Sequence, residues 1–168
     1  MQTVTSIALR PFAPGDLPIL REIRNDMAMQ ALLLSHPEAR TGDDTETWVA
    51  RRVADSSGLF LVVERKGICI GFVQITGWHR LDCYAHFGIG LHRAARGMGV
   101  GKATMLALFD IVRAKGLRKL LCEIRADNVA ALMLYRGLDF RDIGTLKAHY
   151  DDGARCWDVV SMEKLLMA

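Results

Sequence analysis

The sequence predicts a mixed α/β domain with a central, twisted and largely antiparallel sheet of six or seven strands, flanked by about four helices. Two tight hairpins indicate antiparallel pairs, because the turns at residues 65–67 and 151–153 each separate two strand-like segments. The glycine-rich stretch at residues 96–101 lies between a strand and a long helix, which indicates a βαβ step. The predicted order is β-α-α-β-β-β-α-β-α-β-β.

The N-terminal part is predicted to hold a strand and then a helix. Residues 3–9 alternate weakly between apolar and polar and end before Pro11, which is typical of a strand. Pro18 suits the first turn of the helix that follows. The inner face of this helix is predicted to hold four apolar residues, Leu17, Leu20, Ile23 and Met27. The segment 29–34 allows a short further helix.

The next elements are a second helix and three strands. The helix is predicted over residues 44–53, capped by Asp43 or Asp44, with Trp48 and Val53 on its inner side. The strands are predicted at residues 59–64, 68–78 and 83–91.

After the glycine-rich stretch, a helix is predicted over residues 100–115. Gly116 follows it in the C′ position and ends it. The remaining elements are a strand over 119–124, a helix to about residue 136 capped by Asp127 or Asn128, and two strands over 140–149 and 155–165.

Length and composition fit one domain over residues 1–168. The chain is 51% apolar and 24% charged, which is ordinary for a globular protein. A net charge of +3 without a run of basic residues argues against nucleic acid as a partner. No apolar run reaches the roughly 18 residues that span a membrane. No signal peptide is visible, so we expect a cytoplasmic protein without a membrane partner.

The cysteines do not indicate a metal site. They are Cys69, Cys83, Cys122 and Cys156, and none of them forms a CxxC pair. Each lies in an apolar, strand-like context. We therefore expect reduced, mostly buried thiols and no bound metal.

The glycine-rich stretch indicates a site for a pyrophosphate. Three glycines alternate where a helix begins, Gly97, Gly99 and Gly101. Glycine lets the main chain approach a ligand closely, and the free N–H groups of a helix start attract anions. Arg96 and Lys102 add positive charge. A Walker A loop would need Gly at position 96 and Ser or Thr at Ala103, and a dinucleotide fingerprint would need Gly at position 102, so both are excluded.

Residues 96–101 fit Arg-x-x-Gly-x-Gly and resemble the pyrophosphate loop of the GNAT superfamily of N-acetyltransferases. Asn128 and Tyr135 stand where that superfamily has Asn-x-x-Ala-x-x-x-Tyr. Asp139 replaces the last glycine of the segment, and we expect this to alter a turn. The ends of the chain are similar to the Rim-type branch, which contains ribosomal-protein, spermidine and amino-sugar acetyltransferases.

This resemblance implies the GNAT fold, whose sheet splays in a V between strands 4 and 5, and it implies acetyl-CoA as the co-substrate. The main chain of Ile89, Gly90 and Leu91 would pair with the pantetheine arm. The other implied cofactor contacts are Arg96, Gly97, Met98, Gly99, Val100, Gly101, Lys102 and Asn128. Asn128 could also serve simply as a helix cap.

The resemblance also implies direct transfer, with Tyr135 as the general acid that protonates the leaving CoA thiolate. A packing role is the alternative for Tyr135. His86 stands where Rim-type relatives often carry Glu, so it is a candidate base acting through water, or else a hydrogen-bonded sheet histidine. His79 and Glu123 are lesser candidates. A covalent acetyl-cysteine is not favoured, because no cysteine lies beside a histidine.

Acceptor specificity is assigned to residues 1–57, because the cofactor loop lies elsewhere. Arg24 and Asn25 are candidate substrate-binding residues or simply an exposed helix face, and His79 lies on a loop where a substrate could enter. The predicted acceptor is an amino-sugar nucleotide or another small amine. A protein or peptide N-terminus is the first alternative, and a polyamine ranks third because carboxylates cluster only at residues 43–46.

A non-catalytic acetyl-CoA sensor is the alternative outside the enzymes. Such a protein should keep the glycine loop and lose the acid, whereas Tyr135 is present. Family resemblance alone implies a homodimer through the C-terminal strands.

Overall fold

The structure, a computed structural model, describes residues 6–166. Its strands are β1 (Ala8–Arg10), β2 (Leu59–Arg65), β3 (Ile68–His79), β4 (Tyr84–Leu91), β5 (Lys119–Arg125), β6 (Arg141–Asp151) and β7 (Cys156–Leu165). Its helices are α1 (Leu17–Asn25), α2 (Met27–Leu32), α3 (Gly42–Ala54), α4 (Val100–Ala114) and α5 (Val129–Arg136). The seven strands form one sheet in the order β1-β2-β3-β4-β5-β7-β6. The predicted first strand lies partly outside the described residues.

The sheet separates between β4 and β5, its one parallel pair among the described strands. Their pairing joins Tyr84 to Lys119, Ala85 to Leu120 and His86 to Leu121. Beyond His86, β4 stays paired with β3 as far as Leu91. β5 instead stays paired with β7 as far as Arg125. The two strands therefore diverge, which confirms the predicted V-shaped splay and leaves the facing edge of each strand open.

The sheet carries a hydrophobic core on each face. The core under α1, α2 and α3 includes Leu20, Ile23, Trp48, Phe60 and Phe72. The core under α4 and α5 includes Met105, Leu108, Leu120, Tyr135 and Met162. Neighbouring residues of a strand point to opposite faces, so Phe72 and Val73 of β3 lie in different cores. An opening between β4 and β5 can therefore reach both sides of the sheet.

The first helix ends earlier than its apolar spacing predicted. α1 ends at Asn25, and Asp26 adopts an extended backbone in which its carboxylate accepts a hydrogen bond from the Met29 N–H at 3.0 Å. This cap begins α2, the short helix that the sequence allowed. Met27 belongs to α2 and is 53% exposed, so its predicted place on the inner face of α1 was wrong.

The start of α3 is fixed by a capping box. The Thr41 hydroxyl accepts from the Asp44 N–H at 3.1 Å, and the Asp44 carboxylate accepts from the Thr41 N–H at 2.9 Å. The predicted caps, Asp43 and Asp44, were therefore wrong. Trp48 is buried as predicted, whereas Val53 is 57% exposed in the last turn, so its predicted burial was wrong.

Three turns show how local sequence fixes the backbone. Lys66 and Gly67 both have positive φ, +54° and +79°, as a two-residue hairpin turn of type I′ requires. Gly116, at φ +85°, ends α4 as predicted. Asp139 has φ +63°, the left-handed conformation that a glycine would adopt there. The aspartate therefore adopts, at the end of the segment that follows α5, a conformation that favours glycine.

The capping box makes a prediction about stability. Thr41→Ala removes the hydroxyl acceptor at the start of α3, so we expect the free energy of unfolding to fall by about 1 kcal/mol. Urea denaturation of the variant measures this loss. The control is Asp43→Ala, which changes a first-turn residue outside the capping box and should cost less. An equal loss in the two variants would contradict the cap assignment.

Candidate functional site

A cavity of about 730 Å³ lies at the splay between β4 and β5. Its lining comes from both faces of the sheet. On one side it includes residues of α1, α2 and α3, and on the other it includes the glycine loop and α5. Phe87, Gly88 and Ile89 of β4 and Cys122, Glu123 and Ile124 of β5 form its middle. One cavity therefore connects the predicted cofactor loop with the predicted acceptor region.

The glycine loop borders this cavity at the start of α4. Gly97 and Gly99 have φ of +76° and +73°, so both adopt a conformation that side chains disfavour. Gly99 precedes the first residue of α4, and the first N–H groups of a helix have no partner within it. Gly97, Gly99, Gly101 and Lys102 all line the cavity. This arrangement suits an anion bound by main-chain N–H groups.

Arg96 is tied to the neighbouring elements. Its Nε donates a hydrogen bond to the main-chain oxygen of Leu91 at 3.0 Å, and its guanidinium lies 3.3 Å from the Asp26 carboxylate. Asp26 is also the cap of α2. Arg96 lines the cavity and links the glycine loop to the end of β4 and to the start of α2.

Some predicted cofactor residues have a packing role that the sequence did not reveal. A Cβ at Gly90 would lie 2.5 Å from the Phe72 ring, so glycine there lets the ring pack on β4. A Cβ at Gly101 would lie 3.1 Å from the Leu134 side chain, so glycine there brings α4 close to α5. Of the predicted cofactor contacts, Ile89, Leu91, Arg96, Gly97, Gly99, Gly101, Lys102 and Asn128 line the cavity. Gly90, Met98 and Val100 are not part of its lining.

Asn128 caps a helix and also lies in the lining of the cavity. Its side-chain oxygen accepts a hydrogen bond from the Ala131 N–H at 3.3 Å, so Asn128 rather than Asp127 is the N-cap of α5. The residue also lines the cavity. The capping bond uses the amide oxygen and not the amide nitrogen, which is the group that can donate to a ligand.

Tyr135 is held between two aromatic rings and lines the same cavity. Its ring lies edge-on to Phe87, with centroids 5.3 Å apart, and tilted to Phe140 at 5.4 Å. Burial raises the pKa of Tyr135 far above its usual range, with a smaller contribution from Cys122. The hydroxyl therefore stays protonated at neutral pH, which is the form that can donate a hydrogen bond.

Cys122 is the thiol nearest to this chemistry, and its environment makes it a poor nucleophile. It is buried on β5 and lines the cavity. Burial raises the pKa of the Cys122 thiol to about 12, with a further contribution from Glu123. The thiolate is the nucleophilic form of cysteine. At neutral pH the thiol is protonated, which argues against an acetyl-cysteine intermediate.

His86 lies beside the cavity and not in its lining. It is exposed on β4 and pairs across the strands with Thr76, which does line the cavity. The carboxylate that lines the cavity is Glu123, on the open edge of β5. From the sequence, Glu123 was only a lesser candidate for the base. The alternation of apolar and polar residues along β5 could have identified Glu123 as a stronger candidate, because Glu123 is an exposed residue between the buried Cys122 and Ile124.

Asn25 and His79 are engaged in local structure outside the cavity lining. The Asn25 side-chain oxygen accepts from the Arg40 N–H at 2.8 Å and so holds the segment that follows α2. His79 Nδ1 accepts from the Asp82 N–H at 3.1 Å in the turn between β3 and β4. The third candidate for acceptor binding, Arg24, does line the cavity.

Gln74 is a site residue that sequence reasoning missed. It lines the cavity from β3, and its side-chain oxygen Oε1 is buried without a hydrogen-bond partner among residues 6–166. Its side chain lies across Gly88, because a Cβ there would be 3.2 Å from Gln74 Nε2. The sequence does contain a signal for Gln74, because it is the one amide side chain in the mostly apolar strand β3. An unpaired buried acceptor favours a ligand that donates a hydrogen bond.

The charged lining residues are mostly basic. Among the described residues they are Arg24, Arg40, Arg52, Arg96 and Lys102, against the single carboxylate of Glu123. Arg96 and Lys102 belong to the glycine loop, whereas Arg24, Arg40 and Arg52 lie on the side of α1, α2 and α3. Sequence reasoning missed Arg40 and Arg52, because neither belongs to a motif.

Comparison with known families identifies the domain. Residues 6–141 match the family model described as "Acetyltransferase (GNAT) domain". Within the described part of the chain, no helix is both long and apolar enough to cross a membrane. The same residues contain no group of three or more His, Cys, Asp or Glu that could hold a metal ion.

Relatives and solved structures agree with this match. The mycothiol acetyltransferase of Renibacterium salmoninarum is 30% identical over 149 residues, which cover 81% of this chain and 41% of that protein. The mycothiol acetyltransferase of Amycolatopsis mediterranei is 34% identical over 145 residues, which cover 80% of this chain and 46% of that protein. The chain therefore spans less than half the length of these curated relatives.

Two solved structures show the same fold. One is a spermidine N-acetyltransferase from Vibrio cholerae in complex with CoA and spermine, with a TM-score of 0.88, 22% identity and 95% of both chains covered. The other is a ribosomal-protein-alanine N-acetyltransferase from Brucella melitensis, with a TM-score of 0.81, 26% identity, and 94% of this chain and 99% of that chain covered.

Proposed function

Because the chain belongs to the GNAT acetyltransferase family, we propose that it transfers an acetyl group from acetyl-CoA to a primary amine by direct attack. The observation that carries this proposal is the cavity at the splay of β4 and β5. It joins a helix-start glycine loop, a buried tyrosine hydroxyl and a carboxylate in one space. Residues 1–168 are proposed to act as a single GNAT domain.

The cofactor would lie along the open edge of β4. The N–H groups at Gly97–Lys102 would bind the pyrophosphate. The pantetheine arm would pair with the main chain of Ile89 and its neighbours, which have no β5 partner beyond His86. The Asn128 amide nitrogen would donate to the same arm. Cys122 has a raised pKa, which supports direct transfer rather than a covalent intermediate.

In the proposed reaction, the amine nitrogen attacks the thioester carbon and the C–S bond then breaks. The nitrogen loses a proton to a base, and the departing thiolate gains one. Tyr135 is the proposed donor, because it lines the cavity next to Phe87 of β4 and a phenol is protonated at neutral pH. Glu123 is better placed than His86 as the base, because Glu123 lines the cavity. His86 could act only from beside it, through water.

The acceptor is proposed to be a small amine, with an amino-sugar nucleotide retained as a candidate. The relatives and solved structures are named for mycothiol, spermidine and ribosomal-protein alanine, and these different names leave the acceptor of this chain open. A polyamine is disfavoured, since Glu123 is the one carboxylate among the described lining residues. A protein N-terminus remains the first alternative.

The glycine loop makes a prediction about cofactor affinity. Gly99→Val forces a β-branched side chain into a left-handed backbone at the helix start, so we expect the affinity for acetyl-CoA to fall about 10-fold or more. Isothermal titration calorimetry measures it. Gly116→Val is the matched control, because Gly116 has φ +85° at the other end of α4 and open space around its Cβ position. Unchanged affinity in Gly99→Val would contradict the loop assignment.

The role of Tyr135 is tested in the assay that tests the function itself. Thiol release from acetyl-CoA is followed with a panel of amines, and mass spectrometry identifies the acetylated product. Tyr135→Phe keeps the ring between Phe87 and Phe140 and removes only the hydroxyl. We expect kcat to fall about 10- to 1,000-fold with acetyl-CoA affinity nearly unchanged, because the hydroxyl acts on the leaving thiolate.

Tyr84→Phe is the control for this variant, since Tyr84 lies on β4 outside the cavity lining. It should turn over like the unmodified protein. Wild-type turnover by Tyr135→Phe would show that Tyr135 only packs. If acetyl-CoA binds and no amine releases the thiol, the chain is a cofactor-binding sensor. A kinetically competent acetyl adduct on the intact protein would contradict direct transfer.

A further inference from the structure

Three arginines lie together at the end of the cavity that faces α1, α2 and α3. Arg24 is in the last turn of α1, Arg40 lies between α2 and α3, and Arg52 is in α3. All three line the cavity. They come from separate segments, so the fold brings them to one space and no sequence motif does.

Among residues 6–166, one member of this group pairs with a carboxylate and the other two do not. Arg40 pairs with Glu38 at 2.6 Å. Arg24 donates to the main-chain oxygen of Asp44 at 3.0 Å and lies over the Trp48 ring, with 4.6 Å from its guanidinium carbon to the ring centroid. Arg52 Nε is buried without a hydrogen-bond partner among residues 6–166.

The carboxylates that lie close to this group have other partners, and that of Asp55, which interacts electrostatically with Arg52, accepts hydrogen bonds from Ser57. Asp44 closes the capping box of α3 through the Thr41 N–H. Asp26 pairs with Arg96, and Glu22 pairs with His92. Two of the three guanidiniums, those of Arg24 and Arg52, therefore have no carboxylate at salt-bridge distance within the described residues.

The electrostatics of Arg24 agree with this geometry. Its pKa is lowered to about 10, chiefly by burial and further by the positive charge of Arg40, while Asp44 acts in the opposite direction and Arg51 and Arg52 lower it further. Like charges held together in a partly buried space repel each other. A bound anion would relieve this repulsion, and guanidinium groups match carboxylate and phosphate oxygens in pairs.

The middle of the cavity presents hydrogen-bond acceptors, whereas the arginines at its end are donors. Gln74 presents an unpaired buried oxygen, and Glu123 presents a carboxylate. Both are acceptors, and an amine or ammonium group is a donor. The cavity therefore offers donors at one end and acceptors near the splay, where the thioester would lie. A molecule that fits both carries an anion and an amine.

We propose that the acetyl acceptor carries an oxyanionic group, a carboxylate or a phosphate, that Arg24 and Arg52 bind, while its amine lies towards Gln74 and Glu123. This inference rests on the proposed acetyl transfer, because it names the class of acceptor for that reaction. The proposed class of acceptors includes an amino-sugar phosphate and a short peptide, and it excludes a polyamine.

Two matched pairs of acceptors test the proposal on the unmodified protein. Glucosamine 6-phosphate is compared with glucosamine, and dialanine is compared with dialanine amide, with spermidine as the cationic member. We expect kcat/KM to be about 10-fold or more higher for the anionic member of at least one pair. The first pair reports on a phosphate and the second on a carboxylate. Equal or better turnover of both neutral members, or of spermidine, would overturn the proposal.

A variant pair in α3 assigns the effect to the arginine. Arg52→Gln removes a cavity-lining charge, and Arg51→Gln removes the charge of its exposed neighbour. We expect Arg52→Gln to raise the KM of the anionic acceptor about 10-fold and to reduce its advantage over the neutral member. Arg51→Gln should keep that advantage. Acetyl-CoA affinity, measured by calorimetry, checks that both variants fold. Equal effects of the two substitutions would contradict the assignment.

The two proposals fail in distinguishable ways. If only neutral or cationic amines are acetylated, the transferase function stands and the anion site is wrong. If no amine is acetylated, the proposed function fails, and calorimetric titration of glucosamine 6-phosphate and dialanine then tests the anion site alone. Binding that Arg52→Gln weakens supports the site, and absence of binding to the unmodified protein overturns it.

Discussion

The divergence of β4 and β5 after His86 is the constraint on which the rest of the structure depends. β4 stays paired with β3 as far as Leu91 and β5 stays paired with β7 as far as Arg125, whereas the pairing between β4 and β5 ends at His86 and Leu121. Main-chain N–H and C=O groups inside a protein need partners. The open edge of β4 is therefore a place for an extended, hydrogen-bonding ligand, and both helical layers of the fold reach it.

Packing around this opening brings distant segments to one cavity. Gly101 lets α5 approach the start of α4, because a side chain there would press on Leu134. Tyr135 reaches the edge of β4 through its contact with Phe87. Arg96 joins the glycine loop to the cap of α2. The same contacts that stabilise the two cores thus position the proposed cofactor half against the proposed acceptor half.

The structural features that could be predicted from the sequence are those determined by short, local segments. The hairpin turns, the helix end at Gly116 and the glycine-rich start of α4 all depend on short segments. The missed features depend on contacts between segments. The unpaired oxygen of Gln74 and the convergence of Arg24 with Arg52 appear only when strands and helices pack. The same limit explains His86, since its strand was predicted correctly but its place relative to the cavity was not.

The central claim is that acetyl-CoA occupies the splay, and amide hydrogen exchange followed by mass spectrometry tests it most directly. Addition of acetyl-CoA should slow exchange in peptides that cover residues 87–91 and 97–102, because the ligand would bind those N–H groups. Peptides from the β2–β3 turn at residues 65–68 should exchange at the same rate with and without it. Unchanged exchange in both cavity segments, at a concentration where acetyl-CoA is bound, would contradict the account.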